Sequence, residues 1–271
     1  MLFNLFLKAI QKRFLCVMNK FKGIVKIAVT IFVIIIVGVA IAKMQSRQCK
    51  EILIQVEGGE ESNWVTKDDV MALLNKANIS VIGKEYKEVN AETGNISNAV
   101  NKHPYVNSCD KIYLTGKTLV IEITPRNPLI HVFPVKGEQY FIDYTGNFLP
   151  YSSKVAENLI IANGNIQTGY AENLKTDTFP VLHSLHTIAK LIEQSPFHTA
   201  QFRQMYVNGS GEIELIPTVG DQYVLFGNHK DAQEKLAHIE EMYTQTFPYT
   251  GMNQYASLDV RYKNRVIARK K

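Results

Sequence analysis

Two histidines at helical spacing are the first residues whose types could do chemistry. His183 and His186 lie three residues apart in a segment with helical periodicity, so both imidazoles could reach one metal ion. Glu193 and His198 are nearby, but no third ligand is evident. The pattern favours an exposed histidine pair, and we predict no metal site.

Motifs for nucleophilic or phosphate chemistry are absent from the sequence. It has no G-x-S-x-G elbow, no H-E-x-x-H motif and no Walker loop. Asn208-Gly209-Ser210-Gly211 has the composition of a hairpin turn. Trp64 and the thirteen tyrosines could line a sugar-binding face, yet aromatic residues at strand spacing are typical of a core. We therefore predict that the protein is not an enzyme and has no cofactor and no small-molecule substrate.

The charge is unevenly distributed along the 271 residues. Residues 1–50 contain nine basic residues and no acid, whereas the rest of the chain has 21 bases and 25 acids. The body of the protein is therefore slightly acidic, which does not favour nucleic-acid binding. A composition of 46% hydrophobic and 20% charged residues excludes collagen, coiled coil and overall disorder. Three cysteines cannot form a disulfide framework, and Cys49 and Cys109 could form one bond at most.

Residues 24–42 form a long apolar run, IVKIAVTIFVIIIVGVAIA, whose single charge is Lys26. Its length approaches the ~20 residues that a helix needs to cross a bilayer. More basic residues precede the run than follow it directly, which predicts a cytoplasmic tail over residues 1–23. Ala40-Ile41-Ala42 also fits a signal-peptidase site, but the run exceeds the ~7–15 residues of a signal core. We expect a retained transmembrane helix over residues 24–42.

The region that follows predicts a small mixed domain. Apolar residues recur first at strand spacing, then twice at helical spacing, then again at strand spacing. Thr66 is a candidate N-cap of the first helix, and Pro104 stops the second. The predicted order is β-α-α-β-β, with strands at residues 51–56, 105–114 and 119–124 and helices at residues 66–77 and 91–102.

Pro125 and Pro128 mark a joint, beyond which the chain becomes mainly β. Two helices interrupt the strands, one over residues 179–194 and one over residues 230–246. The region predicts a mainly antiparallel β domain with two helices. Its candidate strands span residues 129–133, 140–143, 158–162, 204–208, 212–216, 222–226 and 256–262.

This arrangement resembles the FtsQ/DivIB family of bacterial cell-division proteins, and short motifs agree with it. Residues 142–148 (IDYTGNF) resemble the family's v-D-x-x-G-x-x-f strand and turn, and residues 258–262 (LDVRY) resemble its closing v-D-L-R-y strand. Pro125 stands where the family has an acid before Arg126. Further matching stretches are His103-Pro104-Tyr105-Val106, residues 119–129, and Phe226-Gly227 followed by Lys235-Leu236.

The resemblance implies an α+β fold in which residues 50–125 form a POTRA domain and residues 126–268 the family's β domain. It also implies a non-enzymatic divisome scaffold that recruits and links septal proteins. The protein would be a single-pass inner-membrane protein with a cytoplasmic N-terminus and a periplasmic bulk at the division septum. In this family the β domain binds the bitopic proteins FtsB and FtsL through its last strand, and FtsK-, FtsW- and FtsI-type proteins are further expected partners.

The expected contact is the last strand of the β domain. A strand at a sheet edge has unpaired N–H and C=O groups, so a partner strand can add to it. The basic residues that follow Asp259 would attract an acidic partner segment. Arg261 and Tyr262 are the best anchors by residue type. The predicted partner-binding residues are Ala256, Ser257, Leu258, Asp259, Val260, Arg261 and Tyr262.

Two other functions would explain part of the sequence. A POTRA-containing envelope assembly or secretion factor would share residues 50–125, although the N-terminal span argues against it. A cleaved periplasmic binding protein or hydrolase would begin near Lys43. The size of the mature chain distinguishes this last function from the membrane-anchored scaffold.

Overall fold

The computed structural model describes residues 26, 28–43, 48–58, 64–155 and 158–271. Residues 28–43 are helical, and their large apolar side chains are exposed. Among the described residues, no helix combines the length and the hydropathy that crossing a membrane requires. The predicted tail over residues 1–23 lies outside the described residues, as do residues 24, 25 and 27 of the predicted span.

A three-stranded sheet with two helices follows, in the predicted order β-α-α-β-β. Strand β3 lies between β1 and β2. The backbone amide of Glu51 donates to the carbonyl of Lys117, and that of Glu57 donates to the carbonyl of Ile123. Both strands advance by six residues in the same direction between these two bonds, so β1 and β3 run parallel. The elements are β1 (Glu51–Val56), α1 (Lys67–Lys76), α2 (Tyr86–Val100), β2 (Val106–Thr115) and β3 (Thr118–Pro125).

Side-chain hydrogen bonds are formed at the start of both helices, a local one at α1 and a long-range one at α2. Thr66 is the N-cap of α1, as predicted, because its hydroxyl accepts from the amide of Asp69 while the Asp69 carboxylate accepts from the amide of Thr66. Helix α2 begins five residues before its predicted start. Tyr86, its first residue, is buried and donates its hydroxyl hydrogen to the carbonyl of Gly116, a long-range contact that helical periodicity does not reveal.

The rest of the chain builds a nine-stranded mixed sheet in the order β12-β11-β10-β9-β8-β7-β4-β5-β6. Five of its eight strand pairs are antiparallel, and three are parallel: β4 with β7, β7 with β8, and β10 with β11. The strands are β4 (Pro128–Val132), β5 (Tyr140–Asp143), β6 (Phe148–Pro150), β7 (Ile160–Gly164), β8 (Phe202–Val207), β9 (Ile213–Pro217), β10 (Tyr223–Gly227), β11 (Tyr255–Asp259) and β12 (Ile267–Lys270).

Helices pack on this sheet and close its core. The two main helices are α3 (Pro180–Glu193) and α5 (Ala232–Glu241), and the short helices are α4 (Pro196–Gln201) and α6 (Phe247–Thr250), the latter after a π-helical turn, Met242–Thr246. Leu185 and Ile188 of α3 and Ile239 of α5 join alternate strand residues in one buried cluster. This burial of one apolar stripe per helix and one face per strand stabilises the sheet.

A buried carboxylate organises the turn between β5 and β6. One oxygen of Asp143 accepts from the backbone amides of Thr145 and Asn147, both at 2.8 Å, and the other accepts from Arg126 at 3.2 Å. Gly146 within this turn has φ of 86°, and a Cβ placed on it would lie 2.6 Å from the hydroxyl of Thr176. The aspartate and the glycine of the strand–turn motif are therefore structural residues.

Candidate partner-binding edge

The strand expected at the sheet edge lies in the interior of the sheet. Strand β11 pairs in parallel with β10 through Tyr223 and Ser257, and it pairs antiparallel with β12 through Leu258 and Ala268. The expectation that residues 256–262 form an open edge is therefore wrong. The physical reason is that β12 follows along the chain and occupies the free backbone groups of β11.

The seven predicted contact residues differ in how accessible they are. The apolar positions that were expected to meet a partner belong instead to the protein's own core. The side chains that remain accessible lie beyond the end of β11. Ser257, Leu258 and Val260 are buried, Ala256 and Asp259 are half-buried, and Arg261 and Tyr262 are exposed.

Arg261 was a predicted anchor, but two carboxylates of the same sheet already bind its guanidinium. It donates to Asp259 at 2.9 and 2.6 Å and to Glu212 at 2.8 Å. These hydrogen bonds hold the pKa of Asp259 below its ordinary value. Arg261 could bind a partner carboxylate only by giving up bonds that it already makes.

The open edge of the nine-stranded sheet is β12. This strand pairs with β11 on one side, and no described strand pairs with its other side. The opposite edge, β6, has three residues and ends at Pro150, and the amide of Phe148 donates to the carbonyl of Leu174 in a neighbouring loop. Since proline and a covering loop protect β6, β12 is the better place for strand addition in this sheet.

Positive charge concentrates around this edge. Lys271 is paired with Asp221 at 2.9 Å. Within the described part of the chain, the other basic side chains from residue 263 onward form no ion pair, although Arg265 lies over the ring of Tyr262 at 5.2 Å. The edge therefore repels a second copy of itself and attracts an acidic strand. The unpaired residues are Lys263, Arg265, Arg269 and Lys270.

Sequence reasoning missed the residues that form this edge. Strand β12 has four residues and lies between basic residues, so it shows no strand alternation that stands out. One signal could have revealed it: Asn264, which adopts φ of 59°, separates the β11 run from the apolar pair Val266-Ile267. A turn residue between two apolar runs is typical of a hairpin.

The histidine pair does not form a common site. His183 faces Asp177 at 3.1 Å, whereas His186 is buried and its Nε2 lies 3.2 Å from the carbonyl oxygen of Tyr144. Burial lowers the pKa of His186, which favours its neutral form. Throughout the described ranges, no group of three or more His, Cys, Asp or Glu residues could hold a metal ion.

The serine and the cysteines that could act as nucleophiles, Ser210, Cys49 and Cys109, lie in a turn or in the core. Ser210 donates its hydroxyl hydrogen to Asn208 in the hairpin turn between β8 and β9, as the turn prediction required. Cys49 and Cys109 are buried free thiols. Burial raises the pKa of Cys109 to about 11, so this thiol is poorly nucleophilic at neutral pH.

Comparison with known families gives two matches along the chain. A family model described as a POTRA-like domain matches residues 47–124, and a model described as FtsQ/DivIB, C-terminal related, matches residues 127–269. No curated protein matches the sequence. The second model covers 143 of the 271 residues, more than half of the chain. The protein therefore belongs to the FtsQ/DivIB family of cell-division proteins, a family that is generally non-enzymatic.

Proposed function

We propose that this protein is a non-enzymatic scaffold of the division machinery that recruits and links septal proteins by strand addition at β12. The observation that carries the proposal is an unpaired, positively charged strand edge in a member of the FtsQ/DivIB family. The expected occupants are FtsB- and FtsL-type bitopic proteins. FtsK-, FtsW- and FtsI-type proteins would join the same assembly.

Strand addition would combine two physical effects. Each backbone hydrogen bond that a guest strand makes along β12 contributes roughly 0.5–1.5 kcal/mol, independent of side-chain identity. Acidic side chains on the guest would meet Arg269 and Lys270, which speeds association and sets the register. Tyr262, which is 45% exposed beside the hairpin, is available as an aromatic contact at the end of the guest strand.

We also propose that the protein is anchored in the inner membrane by residues 24–42, with residues 1–23 in the cytoplasm and the bulk in the periplasm at the septum. The apolar composition of this run and the excess of basic residues before it support the proposal. Such an anchor would restrict β12 to the same side of the membrane as the periplasmic segments of bitopic partners.

The double substitution Arg269→Glu and Lys270→Glu tests the function of the edge. Charge reversal next to an acidic guest strand should weaken capture of an FtsB-type periplasmic segment by at least about tenfold, and the remaining binding should depend less on salt. Affinity is measured by titration of the labelled segment at several salt concentrations. Lys175→Glu, at an exposed site next to β6 at the opposite edge of the sheet, is the control and should bind like wild type. Equal affinity of the double variant and wild type would reject the proposal.

A further inference from the structure

Arg261 joins three strands of the nine-stranded sheet at one end. Its guanidinium binds Asp259 at the end of β11 and Glu212 immediately before β9. Its Cγ passes 3.1 Å from the position that a Cβ on Gly227, the last residue of β10, would take. We call these four residues, Glu212, Gly227, Asp259 and Arg261, the arginine clasp.

Several hydrogen bonds hold Arg261 in the clasp. Arg261 meets Asp259 with two parallel hydrogen bonds, and its own backbone amide donates to the same carboxylate at 3.1 Å. The bond to Glu212 bridges 49 residues of sequence. Gly227 has φ of 82° and lacks a side chain, which leaves room for the arginine stem. An arginine that binds one carboxylate through two hydrogen bonds and a second carboxylate through a third is held more firmly than a single isolated ion pair.

The clasp lies where the chain leaves the sheet to form β12. After the amide of Val260 donates to the carbonyl of Leu225, Arg261 is the next residue, and residues 261–266 connect to β12. Residues 261–265 are exposed and include the unpaired Lys263 and Arg265, so the apolar burial of the connection is confined to Val266 at its end, which packs against the core. Arg261 therefore fixes the start of the segment that must return to β11.

The edge strand has few other anchors. Only four residues form it, they pair on one side, and Ala268 alone among them packs against the core, whereas Ile267 is 46% exposed. At its far end, Lys271 forms an exposed ion pair with Asp221 and donates its amide to the carbonyl of Gln254. Segments with so few buried contacts open locally at low free energy. The bonds of Arg261 at the start of the connection therefore help to keep β12 paired with β11.

We infer that Arg261 is a positioning residue for the partner-binding edge: by clasping Glu212 and Asp259 it holds the 261–266 connection so that β12 stays paired with β11 and is presented to a guest strand. The effect of the clasp on guest binding rests on the proposed function of β12, whereas its effect on the position of β12 does not. The clasp itself is a property of the free protein and can be tested without a partner.

The first test is hydrogen exchange of the full chain without any ligand. Glu212→Gln replaces the carboxylate that binds Arg261 with a neutral amide, which weakens the long-range bond because its ionic part is lost, and it leaves Arg261 itself unchanged. The amides of residues 267–270 should then exchange about tenfold faster, while those of β10 keep their wild-type protection. Asp221→Asn, which removes the exposed ion pair of Lys271, is the matched control and should change exchange by less than about twofold. Unchanged protection of β12 in Glu212→Gln overturns the inference.

The second test separates positioning from direct contact. Ser257 and Arg269 are register partners on β11 and β12, so Ser257→Cys with Arg269→Cys places two thiols opposite each other to join the strands by a disulfide. Arg269 is replaced in every protein of this comparison, so the loss of its charge does not affect the differences measured. The probe is a synthetic ten-residue peptide of alternating valine and glutamate. In the oxidised double-cysteine protein, adding Glu212→Gln should leave probe affinity unchanged, whereas in the reduced protein it should weaken affinity about fivefold.

Persistent loss of affinity in the oxidised Glu212→Gln protein would show that the clasp touches the guest, and it would overturn the positioning role. Failure of the wild-type chain to capture either the probe or an FtsB-type segment would instead contradict the proposed function. In that case the exchange rates of residues 267–270 still decide whether the clasp holds β12, so the two failures are distinguishable.

Discussion

At the scale of single residues, chemistry-bearing side chains serve structure in the described part of the chain. Asp143 binds the amides of a turn, and Ser210 closes a hairpin. Their motifs could be read from the sequence because turns depend on local residue types. The hydrogen bond from Arg261 to Glu212 could not be predicted, since the two residues are 49 positions apart and only the sheet brings them together.

Gly146 gives a residue-scale prediction. Gly146→Ala must keep φ near 86° and place its Cβ 2.6 Å from the hydroxyl of the buried Thr176. We expect the free energy of unfolding to fall by about 2–4 kcal/mol, from backbone strain of roughly 1–2 kcal/mol plus steric overlap. Urea unfolding of both proteins measures the difference.

Gly137→Ala is the control for this substitution. Gly137 has a similar φ of 94°, but nothing lies within 4 Å of its Cβ position, so the variant carries the backbone strain alone. We expect a loss of about 1–2 kcal/mol. If the two alanine variants are equally stable, the contact with Thr176 has no energetic weight, and the account of the turn is incorrect.

At the level of helices and strands, local sequence patterns predict where elements form, but they do not predict which strands lie next to each other. The order β-α-α-β-β and the start of α1 could be predicted because periodicity and capping act within a few residues. The position of β11 could not, because strand neighbours depend on the whole sheet. Residues 256–262 have the composition of an edge strand, yet the strand observed there, β11, is covered on its free side by β12.

This difference leads to an element-scale prediction about β11 and β12. Leu258 is fully buried in the interior strand, so Leu258→Ala should lower the free energy of unfolding by about 2–5 kcal/mol. Ile267 is 46% exposed at the edge, and Ile267→Ala should cost less than about 1 kcal/mol. Chemical unfolding of the two variants under the same conditions checks both values. A small cost at Leu258 would contradict the interior position of β11.

At the scale of the whole molecule, the order of short motifs along the chain identified the family before any fold was known. Each motif is weak alone, but the strand–turn motif, the Phe226-Gly227 element and the closing strand keep the family's order. The family matches to residues 47–124 and 127–269 agree with that identification. What motif order could not provide is which strand remains open, because that depends on a four-residue segment outside the motifs.

The membrane anchor is tested at this scale. The length of the apolar run predicts that the mature chain stays in the membrane fraction with an intact N-terminus. Mass spectrometry of the full-length protein purified from membranes measures this. A mature product that begins at Lys43 would contradict the anchor and favour a released periplasmic protein.

Strand addition at β12 can be measured by hydrogen exchange of the full-length protein with and without an FtsB-type periplasmic segment. If β12 receives a guest strand, the outward-facing amides of residues 267–270 become paired and gain protection in the complex, while those of β6 do not change. Protection that appears at β6, or anywhere else, with none at residues 267–270 would contradict strand addition at β12.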